Sequence, residues 1–265
     1  MKDQLEKLID EGKISDARKI LVNQLKQFPS DDFCRSLLVQ ILIINAEWDK
    51  ALNHLAILED QESNSISGKK ILSGLIHAEK KRHTIFTNQK TYPDFFPAPP
   101  SYSHELLNLK DDLLSKNIAN VDNAISNLND KLPIITGSLN GKTFKQFKNS
   151  DSLLSHVFEI VAYDRYLWIS VDHIKELSID EPKSLIDLVW IPGKMITTNN
   201  ITLNCYFPVL YHGSSKHEND LVKMGRMTDF TSIGNAIQCI GHNNFEIDDK
   251  EYGLLELKSV LFTKQ

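Results

Sequence analysis

The chain has 265 residues, 41% of them hydrophobic and 25% charged, and its 35 acidic and 30 basic side chains leave a net charge of −5. These are the values of an ordinary globular protein, and they exclude a chain that is disordered throughout. Residues 1–133 carry 17 basic and 19 acidic groups and the remainder 13 and 16, so no basic stripe is present and no nucleic-acid partner is expected. The most apolar stretch, Leu37 to Ile44, is interrupted by Gln40 and falls far short of the ~18 residues of a membrane span, so no membrane insertion is expected. Cys34, Cys205 and Cys239 are too few for a disulfide framework. No N-terminal stretch reads as a secretory leader, which together predict a reducing cytoplasm.

In chain order, the first signal is a repeat. A shift of 34 residues places Leu5 over Val39, Leu8 over Leu42, Gly12 over Ala46, Ala17 over Ala51 and Leu21 over Leu55. Apolar residues within each unit fall at helical spacing, and the small Gly12 and Ala46 stand where two helices turn, which predicts one helical hairpin used twice. The period, the small turn residue, the alanine five positions on and Pro29 resemble the tetratricopeptide repeat; the second unit has Ser63 in place of proline. A third shift fails. Ile71, Leu72, Leu75, Ile76, Glu79, Arg82 and Phe86 instead predict a longer helix covering the open end of the hairpins.

Thr91 to Ser101 combines four prolines with Tyr92, Phe95 and Phe96 and predicts an ordered strap. Two more helices follow, around Leu106–Leu114 and Val121–Leu128. Beyond Pro133 the texture changes to β-branched and aromatic runs: Val157 to Ala162, Tyr166 to Val171, Leu185 to Ile191, Ile201 to Phe207 and Leu254 to Phe262. A short helical piece is expected around Val171 to Leu177. The predicted class is therefore α+β, with an all-α, tetratricopeptide-like repeat domain over residues 1–132 and a mixed, mostly antiparallel β-rich domain over 133–265.

Partial signatures of several chemistries are present, each with a plainer reading. Gly137-Ser-Leu-Asn-Gly141-Lys142-Thr143 suggests a phosphate loop, but only three residues separate its glycines, and Asn140-Gly141 reads as a type I′ hairpin turn. Cys239 and His242 are spaced like half a zinc site, with Cys205, His212 or His217 as companions; no recognised second pair exists, and no metal or cofactor is expected. No serine elbow or activated-cysteine context appears, and carboxylate pairs such as Asp151 and Glu159 read as solvated surface charge, so no catalytic residue is assigned. A hydrolase or nucleotide-dependent enzyme in the second half, or a general repeat scaffold, are the competing readings.

Ala78-Glu79 with Arg82 and Phe86, the Gly137-to-Phe144 string, Val157-Phe-Glu159-Ile, Tyr163, Tyr166 with Trp168, Asp187-Leu-Val-Trp190-Ile-Pro192, and Gly225-Arg226 with Thr228 follow one another in this order. Taken together over nearly the whole chain, they resemble the TagJ/ImpE/SciE family of bacterial type VI secretion accessory proteins. The resemblance implies a cytoplasmic, non-catalytic adaptor that binds the small subunit of the contractile sheath through a helix near that subunit's N-terminus. It also implies a link to the ATPase that dismantles the sheath. Candidate partner-binding residues are Arg35, Trp48, Arg82, Trp168, Asp187, Trp190 and Arg226. Their plainer roles are core packing for the tryptophans, a buried ion pair with a carboxylate for Arg35 and Arg82, and an Asp187–Arg226 pair.

Overall fold

The 34-residue shift reappears in the backbone. In the computed structural model, which describes residues 1–59 and 66–263, helices α1 (Lys2–Asp10) and α2 (Ile14–Gln27) form one hairpin, and α3 (Asp32–Ile44) and α4 (Trp48–Glu59) the next. Gly12 and Ala46 both adopt positive φ at the two turns. The same pair of carbonyls is used each time: Leu8 and Ile9 accept from Lys13 and Gly12, and Leu42 and Ile43 from Glu47 and Ala46. Ala17 and Ala51 are fully buried, as small residues are where paired helices approach closely. Ser63 lies outside the described residues.

The long helix, α5 (Ile66–Thr87), packs on α4 as expected, but its other face is buried too, against the sheet of the second half. A helix expected to cap the repeats is thus a central element of the molecule. Helices α6 (Ser103–Ser115) and α7 (Ile118–Asn129) form a third hairpin. The strap between α5 and α6 includes a two-residue strand, β1 (Asp94–Phe95), parallel to β6 (Arg165–Ser170). Lys110 anchors the strap: only 1% exposed, its ammonium donates to the carbonyls of Ile85, Asn88 and Thr91 at 3.3, 2.9 and 2.9 Å. One cation therefore satisfies the end of α5 and the start of the strap together. Lys110→Met is expected to lower the unfolding free energy by about 1–3 kcal/mol, because it strands those carbonyls; a shifted denaturant midpoint with unchanged slope checks it.

The second half is built on a nine-stranded sheet in the order β1-β6-β5-β9-β8-β7-β14-β2-β3. Its members are β2 (Thr136–Leu139), β3 (Lys142–Phe144), β5 (Val157–Ala162), β6 (Arg165–Ser170), β7 (Ile174–Ile179), β8 (Trp190–Thr197), β9 (Thr202–Pro208) and β14 (Ser259–Thr263). All pairings in it are antiparallel except β1 with β6. The β2–β3 turn is Asn140-Gly141, both at positive φ, so the phosphate-loop reading gives way to the hairpin. Strand β5 is buried on both faces. Val157 and Val161 point into a core shared with the helices, while Phe158 and Ile160 point into a second core. That second core is closed by a three-stranded sheet of β4 (Phe147–Asn149), β12 (Asn244–Ile247) and β13 (Lys250–Gly253). A two-stranded hairpin, β10 (Thr228–Ile233) and β11 (Ala236–Gly241), and a short helix, α8 (Asp220–Lys223), complete the described chain.

Three predicted elements differ. Val171 to Leu177 is a 3₁₀ turn followed by β7, not a helix: a bulge between Ile174 and Glu176 turns Ile174 and Leu177 to the same side, which imitates helical spacing. Leu185 to Leu188 is also a 3₁₀ turn, because Asp187 accepts from the Lys183 and Ser184 amides at 2.7 and 2.9 Å, and the strand begins only at Trp190. Leu254 to Glu256 turns in the same way, leaving Ser259–Thr263 as the strand.

Candidate functional site

Helix α5 lies across the helix-facing side of the sheet, and one of its buried positions is an arginine. Arg82 is 3% exposed. It meets Glu159 of β5 side-on, Nε to Oε1 and Nη2 to Oε2, both at 2.8 Å. Nη2 also donates to the Leu210 carbonyl at 3.0 Å, and Nη1 to Glu79 at 3.1 Å. The Tyr166 hydroxyl donates to Glu159 Oε1, Trp168 Nε1 donates to the Tyr166 hydroxyl at 2.5 Å, and Trp190 Nε1 donates to Glu79 Oε2 at 3.3 Å. Burial alone lowers the Arg82 pKa, but Glu159 and then Glu79 reverse it and hold the guanidinium charged well beyond its ordinary range. Burial, and then Glu159, push the Tyr166 phenol up. One charged network thus joins helix to sheet, with both carboxylates already holding donors. That arrangement suits holding two halves together better than transferring a proton.

Beside it opens a cleft of about 240 Å³ lined from both halves, with Trp48, Glu79 and His83 on the helical side and Trp190, His212 and Lys216 on the other. His83 Nδ1 and His212 Nε2 are 2.9 Å apart. Phe86 stacks on the His212 ring with centroids 4.9 Å apart, and Trp48 meets His83 edge-on at 5.2 Å. Burial, followed by Arg82, His83 and Lys216, takes the His212 pKa down to about 2; burial and then Lys216 lower that of His83. Both rings are therefore neutral at pH 7, one donating to the other.

A folded-state pKa below the unfolded value means that only the unfolded chain takes up the proton as pH falls below about 6.5, so His212 removes stability on acidification. The contribution reaches about 2 kcal/mol near pH 5. Asp151 acts oppositely: burial raises its pKa to about 6 against the amides of Cys239, Leu154 and Leu153, so its folded form gains the proton first. His212→Gln is expected to flatten the loss of stability between pH 6.5 and 5, measured as urea midpoints at each pH, while leaving the Asp151 contribution in place.

The ImpE family model matches residues 141–261. The C-terminal half of the chain is an ImpE-family domain. This ImpE domain supplies Glu159, Tyr166, Trp168, Trp190, His212 and Lys216; Trp48, Glu79, Arg82 and His83 come from the helices before it. Over 261 residues the chain is 26% identical to the type VI secretion system accessory component TagJ of Pseudomonas aeruginosa, covering 97% of this chain and 90% of that one. Its fold is that of protein VPA1032 from Vibrio parahaemolyticus, a crystal structure matched with a TM-score of 0.89 at 19% identity over 99% and 98% of the two chains.

Of the residues singled out from sequence, Arg82, Trp168 and Trp190 meet in the charged network, and Trp48 is half-buried at the cleft. The Asp187–Arg226 pair does not form. Asp187 closes its own turn, whereas Arg226 reaches across to the first hairpin and donates to the carbonyls of Ile9, at 3.0 Å, and Asp10. Both carbonyls lie in the last turn of α1, where the guanidinium adds donors to the helix end beside the Gly12 amide that Ile9 already accepts. Nearby, Asp220 accepts from the amide and hydroxyl of Ser15, both at 3.2 Å, and so closes the start of α2. Arg35 is buried as expected, but its guanidinium goes to His54 Nδ1 at 3.0 Å and to the Pro29 carbonyl. Cys239 and His242 face different surroundings, the Asp151 loop and Gly253 respectively. Among the described residues no three His, Cys, Asp or Glu side chains are grouped to hold a metal.

Tyr166 belongs to the family resemblance without being a candidate, and Glu159, which with Asp151 reads from sequence as solvated surface charge, is buried at 4% exposure, as Asp151 is at 8%. The available signal was a carboxylate inside the six-residue apolar run Val157–Ala162, which has to find a buried cation. Nothing in the sequence pointed to His83.

Proposed function

We propose that the chain is a non-catalytic adaptor of the bacterial type VI secretion system, working in the cytoplasm. It binds the small contractile-sheath subunit through a helix near that subunit's N-terminus and links the sheath to the ATPase that dismantles it. What carries this reading is the similarity to an accessory component of that system along 97% of the chain, across both halves that form the cleft. The described residues include no helix long and apolar enough to cross a membrane. The first four helices serve as a tetratricopeptide-like pair, a reading supported by the turn hydrogen bonds that recur 34 residues apart, and residues 133–265 form the second unit. The partner helix lies along the junction with Trp48 at the rim of its seat, since a half-buried indole offers a large rigid anchor.

The test is a titration of the full chain with a fluorescent peptide covering the N-terminal helix of the small sheath subunit. Saturable binding that Trp48→Ala weakens at least tenfold is expected, followed by formation of a ternary complex when the ATPase is added. Absence of binding well above micromolar concentrations removes the sheath-adaptor reading.

A further inference from the structure

The β10–β11 hairpin leaves one backbone edge unpaired with any other described strand. Ser232 stands opposite Ile237, Phe230 opposite Cys239 and Thr228 opposite Gly241. On β11 the outward groups of these pairs are taken: the Ile237 carbonyl accepts from the Ser152 amide at 2.9 Å, its amide donates to the Ser152 hydroxyl at 2.8 Å, and the Cys239 amide donates to Asp151 at 3.0 Å. Antiparallel alternation then turns the groups of Thr228, Phe230 and Ser232 to the opposite, outer side of β10, where no strand among the described residues follows.

Two further features mark this edge. Asp229 to Ser232 are all exposed. Phe230, Met227 and Ile237 are 50%, 47% and 42% exposed, and Ile118, at 59%, lies beside the Gly234 turn. The usual guards of an edge, lysine and proline, are missing from Thr228-Asp-Phe-Thr-Ser-Ile233. Asp229 is the only charge; its Oδ1 accepts from the Phe230 amide at 2.8 Å and its Oδ2 lies 3.4 Å from His217.

We propose that two copies of this chain pair antiparallel through β10, joining their hairpins into one four-stranded sheet across a two-fold axis at Phe230. This register engages the outward groups of Thr228, Phe230 and Ser232 in both copies. It sets phenylalanine against phenylalanine, Thr228 against Ser232, and Asp229 against Thr231, so no like charges meet; a register centred on Asp229 sets acid against acid. The amide of Phe230 exchanges its neighbouring carboxylate for the carbonyl of the second copy. The contact is small, so the dimer is weak and depends on concentration.

The test is sedimentation velocity of the full chain from micromolar to millimolar concentration. A doubling of mass over that range is expected. Phe230→Lys and Phe230→Glu each abolish it, and an equimolar mixture of the two restores it, which a misfolded variant cannot do. Ser232→Pro, which removes an outward amide but no bond to β11, abolishes it as well. A wild-type chain that stays monomeric throughout, leaving the edge for a strand of another protein, overturns the proposal. So does a dimer that these variants leave intact.

Discussion

Arg82→Met is expected to destabilise the protein by about 3–5 kcal/mol, the cost of removing one partner from a buried ion pair. The side chain is about the right size and keeps the apolar contact with Phe86, whose ring lies 5.7 Å from the guanidinium, so the loss is electrostatic. It leaves Glu159, with a side chain 1% exposed, and Glu79, at 12%, without their shared cation beside the sheet, and it removes the donor to the Leu210 carbonyl. Urea unfolding followed by fluorescence of Trp168 and Trp190 measures the change directly, because both indoles sit in the same network. The double variant Arg82→Met/Glu159→Met recovers about 1–3 kcal/mol of the loss, since it removes the stranded carboxylate along with its cation. Equal losses in the single and double variants show instead that the network is held by its hydrogen bonds to Glu79 and Leu210.

That network also shows how much of the molecule was legible beforehand. Helices, the change of texture near Pro133, and strands such as Val157–Ala162 follow from hydrophobic periodicity, which is local. The hairpin turn at Asn140-Gly141 is legible because two particular residues tolerate positive φ. A buried role for Arg82 was readable because an arginine in the apolar stripe of α5 requires a carboxylate. Its partner was not, since Glu159 lies 77 residues away on another element. The same limit applies to Arg226 and Asp220, whose partners are the backbone of α1 and α2 more than 200 residues earlier. Backbone carbonyls and amides at helix ends carry no residue-type signal, so contacts of this kind are invisible in a sequence. Where periodicity itself misled, at Val171–Leu177, a single bulge made a strand look like two turns of helical spacing.

Residues 1–132 expressed alone are expected to show helical circular dichroism without a cooperative thermal transition, while the full chain unfolds in one. The helices end at Asn129 and the next strand starts at Thr136, yet the hydrophobic core does not divide there. Leu75, Ile76, Ala78 and Ile85 of α5 belong to one buried cluster with Val157, Val161, Tyr166, Trp168 and Trp190 of the sheet. Truncation exposes that face of α5 and leaves Arg82 without Glu159. It also takes Arg226 from the end of α1 and Asp220 from the start of α2. Each fully buried aliphatic or aromatic side chain returned to water costs about 1.5–3 kcal/mol. A handful of them matches the whole stability of a domain of this size, about 5–15 kcal/mol. Calorimetry of the two proteins checks this: a sharp endotherm from the fragment shows that the helices stand alone and that the junction is a docking contact, whereas a single endotherm confined to the full chain makes the cleft at the junction a rigid seat, formed before any partner arrives.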